Sequence, residues 1–186
     1  LLDTFSGVGT IPFEARLAGH TAFGFDISPA AIAISRGKLE QVDWSVVDGI
    51  LEQLAVYVSE KKGRVKLAPL STIRFNGPLP DYFHPDTLKE IVAARRFFLE
   101  NTPDNGAGAI IMASLLHILH GNRPYALSRR SHPITPFAPT GPTEYRSLIE
   151  RLHKKVDRCR VAAEGIPDTQ SISFAQDVTK TWPEQV

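Results

Sequence analysis

The glycine turn at residues 6–9 (Ser-Gly-Val-Gly) constrains this chain more than any other stretch of its sequence. It follows an apolar start, Leu1-Leu2, and comes shortly before Pro12. Proline suits the first turn of a helix, because the N–H that it lacks would have no partner there. Glycine adopts φ > 0 freely and lets a ligand approach bare backbone. The pattern therefore predicts a strand, a tight turn and a helix, with the turn open to a ligand.

A second strand that ends in an acid completes this unit. The apolar spacing after Pro12 predicts a helix that stops at Gly19, and Thr21 to Phe25 predicts a strand followed by Asp26. Ligands of doubly wound α/β sheets bind at the carboxyl edge of the strands, where an acid roughly 20 residues after the glycines can accept ribose hydroxyls. Free N–H groups at the helix start attract an anion or a carboxylate.

Other glycine motifs fit these residues less well. A dinucleotide fingerprint is incomplete, since only Gly7 and Gly9 are present, and no lysine stands where a phosphate-binding P-loop needs one. The structural alternative is a strand–helix–strand unit whose glycines only turn the chain.

Two motifs in this unit resemble a known enzyme family. Residues 3–10, Asp-Thr-Phe-Ser-Gly-Val-Gly-Thr, resemble the first motif of S-adenosylmethionine-dependent methyltransferases that act on exocyclic amino groups of nucleic-acid bases. Residues 25–29, Phe-Asp-Ile-Ser-Pro, resemble their second motif. The resemblance covers about the first 40 residues. It implies S-adenosyl-L-methionine as cofactor and a DNA methyltransferase that modifies adenine N6 or cytosine N4, as in restriction–modification systems.

Two alternatives stay open beside this interpretation. An RNA guanine-N2 methyltransferase has a very similar first motif, with RNA in place of DNA as its partner. A non-catalytic module that binds cofactor or nucleic acid would keep the same glycine turn.

The resemblance also implies roles for single residues. Phe5, Gly7 and Gly9 would hold the methionine part of the cofactor, and Asp26 would hold its ribose. Asp177 follows a predicted strand at 171–175, and an acid there reaches the adenine amino group in the family. The implied cofactor-binding set is Asp3, Phe5, Ser6, Gly7, Gly9, Thr10, Asp26, Ile27 and Asp177.

The catalytic motif of such enzymes does not stand in this sequence. Amino-directed methyltransferases place Asn, Asp or Ser before Pro-Pro and an aromatic residue after their fourth strand, where the polar groups bind the target amino group and the aromatic ring stacks on the flipped base. The chain contains no Pro-Pro pair. We therefore expect residues 182–186 to lead toward a fourth strand, and the motif to lie in a remainder of the enzyme beyond Val186. The sequence predicts no catalytic residue.

The order of the elements predicts an insertion. Ser28 and Pro29 begin a helix, Asp43 begins another, and no further strand is predicted before 171–175. We expect an α/β fold: a partial Rossmann-like methyltransferase sheet, with strands near 1–5, 21–26 and 171–175 and a large, mainly helical insertion between the second and third strands. The cofactor-binding part comprises 1–42 and 169–186, and the insertion comprises 43–168.

The insertion carries a basic stretch that predicts contact with nucleic acid. Apolar spacing predicts helices at 85–100, 107–119 and 144–163, with a proline-rich loop at 121–142. Residues 121–160 hold nine Arg or Lys against three acids, a net charge of +6 in a chain whose total is +1. The residues predicted to contact phosphates are Arg123, Arg129 and Arg130.

Composition sets the remaining limits. At 186 residues and 42% hydrophobic, the chain can bury a substantial core. A single cysteine, Cys159, excludes a disulfide framework and suits a cytoplasmic protein. We predict no signal peptide, no membrane-spanning segment and no membrane partner. His117, His120 and His132 lack acidic or cysteine neighbours, so no metal site is predicted.

Overall fold

The structure of the protein is a computed structural model that describes residues 1–101, 104–131, 138–180 and 183. Over these residues the chain forms three β-strands and six α-helices. The strands are β1 (Leu2–Asp3), β2 (Phe23–Asp26) and β3 (Ile172–Ala175). The helices are α1 (Thr10–Leu17), α2 (Pro29–Leu39), α3 (Trp44–Lys61), α4 (Pro85–Asn101), α5 (Gly106–Leu119) and α6 (Leu148–Ala163). Short 3₁₀ helices occupy Lys62–Arg64, Ala68–Thr72 and Leu79–Tyr82.

The strands form one parallel sheet in the order β1-β2-β3. Leu2 pairs with Phe23, and Phe25 pairs with Phe174, so all three strands end at the same edge. Phe25 is fully buried, and its ring stacks on that of Phe174 at 5.1 Å. The predicted α/β class is therefore confirmed, and each strand lies inside its predicted stretch.

Local capping residues determine where two of the helices begin. The Ser28 hydroxyl accepts the N–H of Ala31 at 3.4 Å, with Pro29 as the first residue of α2. The Asp43 carboxylate accepts the N–H of Ser45 at 2.9 Å at the start of α3. These bonds satisfy N–H groups that have no partner within a helix, which is why both starts agree with the sequence prediction.

The chain divides into two compact units. The sheet unit consists of Leu1–Asp48, Pro103–Ser114 and Val156–Val186, and the helical unit consists of Gly49–Thr102 and Leu115–Lys155. This division differs from the predicted boundaries, because parts of the expected insertion, from α5 and α6, belong with the sheet.

Small residues allow α2 and the first half of α5 to pack closely in the sheet unit. A Cβ at Gly37 would lie 3.1 Å from the Ala109 carbonyl oxygen, and a Cβ at Gly106 would overlap the Gln41 carbonyl oxygen. A larger residue therefore requires backbone movement at Gly106, and a shift of a few tenths of an ångström in its neighbours at Gly37.

A buried carboxylate joins three segments of the helical unit. Glu90 of α4 is 3% exposed and accepts hydrogen bonds from Lys62 Nζ at 2.9 Å, the Tyr145 hydroxyl at 2.8 Å and the N–H of Leu148 at 2.9 Å. The bond to Glu90 raises the pKa of Lys62. Desolvation, followed by the bond to Glu90, raises the pKa of Tyr145. These three hydrogen bonds offset the free-energy cost of burying the Glu90 side chain.

Other stretches differ from the predictions or lie outside the described residues. Helix α6 begins at Leu148, although the sequence predicted a start at Glu144. Between the 3₁₀ helices Ala68–Thr72 and Leu79–Tyr82, an isolated bridge joins Arg74 to Pro78. Within the described residues, every helix falls short of the length and apolar character that crossing a membrane requires. His132, two prolines of the predicted loop (Pro133 and Pro136), Trp182 and 184–186 lie outside the described residues.

The close packing of α5 predicts opposite effects for two glycine substitutions in helices. Gly106→Ala should lower the free energy of unfolding by about 1–3 kcal/mol, because its Cβ meets backbone that must move. Gly49→Ala, in α3, meets nothing within 4 Å and should raise that free energy by about 0.5–1 kcal/mol. Urea denaturation of the full chain measures both. Equal effects of the two substitutions would contradict the packing argument.

Candidate functional site

The site is built where the three strands end. Asp3 is the last residue of β1, Asp26 is the last residue of β2, and Asp177 follows β3 by two residues. The N–H of Gln176 donates to the Asp26 carbonyl at 3.1 Å, which extends the pairing of β2 with β3 beyond the last strand residue. Parallel strands thus bring the predicted acids to one edge of the sheet, the edge at which α/β proteins bind ligands.

The glycine turn is held against β2 by its backbone and by one side chain. The N–H of Ser6 donates to the Phe25 carbonyl at 2.8 Å, and the Ser6 hydroxyl donates to the same oxygen at 3.1 Å. Gly7 and Gly9 have φ of 52° and 72°, a left-handed conformation that other residues rarely adopt. The turn therefore needs its glycines for its shape, as the sequence predicted.

Gly9 is also required for space. A Cβ at this position would lie 2.7 Å from the Ser35 hydroxyl oxygen. Ser35 is completely buried on α2 and donates a hydrogen bond to the Ser173 hydroxyl at 2.8 Å. This pair of serines fixes α2 against β3, and it sets how closely α2 approaches the turn.

Asp26 joins the turn to the start of α2. One carboxylate oxygen accepts the N–H of Gly7 at 2.9 Å, and the other accepts the N–H of Ser28 at 2.8 Å. Each carboxylate oxygen can accept a further bond, so the half-buried group can still accept ligand hydroxyls. Asp26 thus both shapes the turn and presents acceptors at the sheet edge.

Two apolar side chains at this edge are strongly exposed. Phe5 is 78% exposed and Ile27 is 77% exposed. Phe5 precedes the turn, where its N–H donates to the Asp3 carboxylate at 3.2 Å, and Ile27 follows Asp26 directly. Exposed apolar residues beside convergent polar groups are typical of a surface that binds an organic ligand.

The first turn of α1 presents N–H groups to the same edge. The helix begins at Thr10, its N-cap residue is Gly9, and no side chain caps it. Thr10 is exposed. Uncapped N–H groups and the helix dipole favour a negatively charged group at this end.

Asp177 is engaged in a local turn. Its carboxylate accepts the Thr179 hydroxyl at 2.6 Å and the N–H of Thr179 at 3.0 Å, and Lys180 lies 3.3 Å away. These bonds lower the pKa of Asp177, the Thr179 hydroxyl most strongly. The side chain is therefore a carboxylate at neutral pH, whose partners are residues of its own turn.

Sequence reasoning missed three residues that shape the site. They are the Ser35–Ser173 pair and Lys38, whose Nζ donates to the Val8 carbonyl of the turn at 2.7 Å. Desolvation lowers the pKa of Lys38. A signal for Ser35 was present, since it lies at helical spacing from Ile32 and Leu39 and is therefore a polar residue on the buried face of α2.

The basic stretch lies mainly in the helical unit, and its arginines differ in their partners. Arg123 and Arg130 are exposed. Arg129 donates to the Gly141 carbonyl from Nε at 3.1 Å and from Nη2 at 2.6 Å, and to the Asp81 carbonyl from Nη1 at 3.1 Å. Arg129 therefore binds its own chain, and Arg123 and Arg130 are the more accessible of the three predicted phosphate contacts.

His117 and His120, which the sequence analysis weighed as metal ligands together with His132, each pack against a tyrosine. His117 is exposed and stacks on Tyr125 at 5.0 Å, and His120 lies edge-on to Tyr82 at 6.0 Å. Among the residues that the structure describes, no group of three His, Cys, Asp or Glu is placed to hold a metal ion.

No protein-family model matches this chain, and neither does any of the curated proteins or solved structures with which it was compared.

The geometry of the turn predicts that its two glycines are not equivalent. Gly7→Ala and Gly9→Ala should each lower the unfolding free energy by about 1–2 kcal/mol through left-handed strain. Gly9→Ala should lower it by about 1–3 kcal/mol more, because its Cβ also meets Ser35, whereas a Cβ at Gly7 meets nothing within 4 Å. Urea denaturation of both variants measures the difference. If Gly7→Ala lowers the unfolding free energy more than Gly9→Ala does, Ser35 of α2 does not lie as close to Gly9 as the structure places it.

Proposed function

We propose that the carboxyl edge of the sheet binds S-adenosyl-L-methionine, and that the chain is the cofactor-binding part of a methyltransferase acting on exocyclic amino groups of adenine or cytosine in DNA. One observation carries the proposal: a turn with two left-handed glycines is hydrogen-bonded to an acid at the end of the neighbouring parallel strand. The motifs at 3–10 and 25–29, which resemble those of such enzymes, form this arrangement.

The strand order supports the finer fold assignment within this proposal. The parallel order β1-β2-β3 is compatible with a partial Rossmann-like fold, and in this proposal these strands would be the part of a methyltransferase sheet that carries the cofactor motifs. The segment between β2 and β3 contains α2 to α6, which is compatible with a large, mainly helical insertion.

Each part of the cofactor has a chemically suitable partner at this edge. Asp26 would accept the ribose hydroxyls with the lone pairs that Gly7 and Ser28 leave open. The uncapped start of α1 would receive the methionine carboxylate. Phe5 and Ile27 would cover apolar surface of the cofactor, and Asp177 would accept the adenine amino group after leaving its local turn. We assign no catalytic residue.

Exposed residues give the sharpest test of this site. Phe5→Ala and Ile27→Ala should leave the unfolding free energy unchanged within about 0.5 kcal/mol, because both side chains are largely exposed. Each should weaken S-adenosyl-L-methionine binding about tenfold, since each removes apolar surface that the cofactor would cover. Asp26→Ala should weaken binding by roughly 10- to 100-fold, because it removes a charged acceptor.

Calorimetry with the full chain measures the affinities, and thermal unfolding reports stability. Leu99→Ala is the matched control, because Leu99 is 70% exposed on α4, in the helical unit. Unchanged cofactor affinity in Phe5→Ala and Ile27→Ala would overturn the proposed cofactor site. A third outcome concerns Asp26 alone. If the parent chain and the other variants bind the cofactor, and Asp26→Ala both fails to bind it and is less stable, the role of Asp26 is structural.

For the nucleic-acid partner, we propose that the exposed arginines of the basic stretch contact phosphates. Double replacement Arg123→Ala/Arg130→Ala should reduce the slope of log affinity against log salt by about 0.9 for each phosphate that an arginine no longer neutralises. Arg95→Ala/Arg96→Ala is the control, because it removes the same charge from exposed positions on α4. Fluorescence anisotropy with duplex DNA and with RNA of the same sequence measures both slopes.

If log affinity falls with log salt equally steeply in the two double variants, binding depends on the total charge of the chain and not on the position of the arginines in the basic stretch. Tighter binding to RNA than to DNA would favour the RNA-directed alternative.

A further inference from the structure

The sheet unit contains a cavity of about 650 Å³ whose lining residues, apart from Lys38, have no part in the proposed cofactor site. We call it the helix-end cavity, since the ends of α1, α2 and α6 contribute to its wall. The lining residues that matter here are Phe13, Arg16, Gln41, Trp44, Cys159 and Asp168. Its volume lies within the range of small-molecule sites.

This cavity is separate from the proposed cofactor edge. Helices α1 and α2 begin at the carboxyl edge of the sheet, directly after Gly9 and Ser28. Arg16 lies in the last turn of α1, and Glu40 caps the end of α2. The helices therefore place the cavity toward their far ends, away from the glycine turn.

A buried arginine supplies the main hydrogen-bond donor of the cavity. Arg16 is 8% exposed. Its Nε donates to the Pro167 carbonyl at 3.3 Å, and its Nη1 donates to the Lys38 and Glu40 carbonyls at 2.8 and 3.4 Å. A guanidinium carries five N–H donors, and these three bonds involve only Nε and Nη1. Desolvation lowers the pKa of Arg16, and the charge of Asp168 opposes that shift.

The other polar groups favour a neutral ligand. Glu40, Asp43 and Asp168 also line the cavity; Glu40 is paired with Arg36, so an anion drawn to Arg16 would chiefly meet Asp43 and Asp168. A cation would meet Arg16 and Lys38. A neutral molecule that accepts a hydrogen bond from Arg16 and donates one to a carboxylate avoids both penalties.

The apolar part of the wall favours a flat ring. Phe13 and Trp44 contribute aromatic side chains, and Ile110, Ala163 and Ile166 contribute aliphatic surface. The guanidinium carbon of Arg160 lies 5.2 Å from the Trp44 ring, and Arg160 also pairs with Asp48. The indole is thereby held in place, and aromatic surface held in a fixed position suits stacking on a planar ligand.

We propose that the helix-end cavity binds a neutral, planar heteroaromatic molecule, with Arg16 donating to a ring acceptor and a cavity carboxylate accepting from a ring amino group. Purine bases have this chemistry, because they present acceptors and an amino donor on one flat ring system. The site is independent of cofactor binding at the sheet edge.

The chain carries its own reporters for a test with adenine as the probe. Cys159 is the only cysteine, so the rate of maleimide labelling reports this residue alone. Trp182→Phe leaves Trp44 as the only tryptophan, so fluorescence reports the cavity wall. Adenine at saturation should slow the labelling of Cys159 about tenfold and shift the emission of Trp44 over the same concentration range.

Variants of α6 separate cavity binding from other effects. Ala163→Leu fills the cavity and should weaken adenine binding at least about tenfold. Val161→Leu is the matched control, because Val161 is 67% exposed on the same helix and does not line the cavity; it should bind adenine as the parent does. Asp26→Ala, which tests the cofactor edge, should leave the protection of Cys159 unchanged.

Four results would overturn the proposal, three of them from labelling and the fourth from the variant Asp26→Ala. The first three are unchanged labelling of Cys159 at saturating adenine concentrations, equal protection in Ala163→Leu and Val161→Leu, and protection by benzoate that matches protection by adenine. If adenine no longer protects Cys159 in Asp26→Ala, and the thermal melt of that variant is unchanged, adenine binds at the cofactor edge. This result would also contradict the proposal.

Discussion

The hydrogen bonds of the Asp26 carboxylate hold the candidate site together. They tie the glycine turn after β1 to the start of α2 after β2, through the N–H groups of Gly7 and Ser28. Hydrogen bonds from backbone N–H groups to a carboxylate are stronger than hydrogen bonds between neutral groups. The glycine turn also requires a left-handed backbone conformation at Gly7 and Gly9. Because one side chain organises both segments, a ligand at this edge would meet a shape that already exists before binding.

Close packing extends this constraint from the turn into the rest of the sheet unit. Gly9 leaves room for Ser35, the hydroxyl of Ser35 reaches Ser173 on β3, and Gly37 on the same helix lets α5 approach. Helix α2 is therefore in contact with the turn, the sheet and α5 through glycines and serines. Interiors packed at this density do not deform continuously, so a change on one side of α2 is transmitted to the other. The ends of α1 and α2 line a cavity, while their beginnings form the site edge.

The parts of the fold that depend on neighbouring residues could be predicted from the sequence. The strands, the turn, Ser28 before α2 and Asp43 before α3 all have short-range signals. The start of α6 also has a local signal, which the predicted start at Glu144 overlooked: Ser147 stands three residues before Glu150, and its hydroxyl accepts the N–H of Glu150 at 3.3 Å. Thr87 binds both the N–H and the carbonyl of Arg146 at 2.9 Å, and Glu90 accepts the N–H of Leu148. Long-range partners from α4 thus add to the cap that Ser147 provides and bind Arg146, just before the helix, and those partners cannot be read from the local sequence. For the Ser35–Ser173 pair, the only signal in the sequence was the position of Ser35 on the buried face of α2. The division into the sheet unit and the helical unit depends on contacts between segments far apart in the sequence.

The basic stretch shows why charge counted along a sequence differs from charge that a partner meets. Its loop is rich in proline, and each proline lacks the N–H that would otherwise satisfy a nearby carbonyl. Arginines take over this task. Arg129 binds the Gly141 carbonyl, Arg146 binds the carbonyls of Ala126 and Ser128 at 2.8 and 2.5 Å, and Arg151 binds that of Pro124 at 2.6 Å. A guanidinium carries five donors in a fixed plane, so one side chain can satisfy several carbonyls at once. Proline and arginine therefore occur together here for a structural reason, and only the exposed arginines of the stretch are left to meet a phosphate backbone.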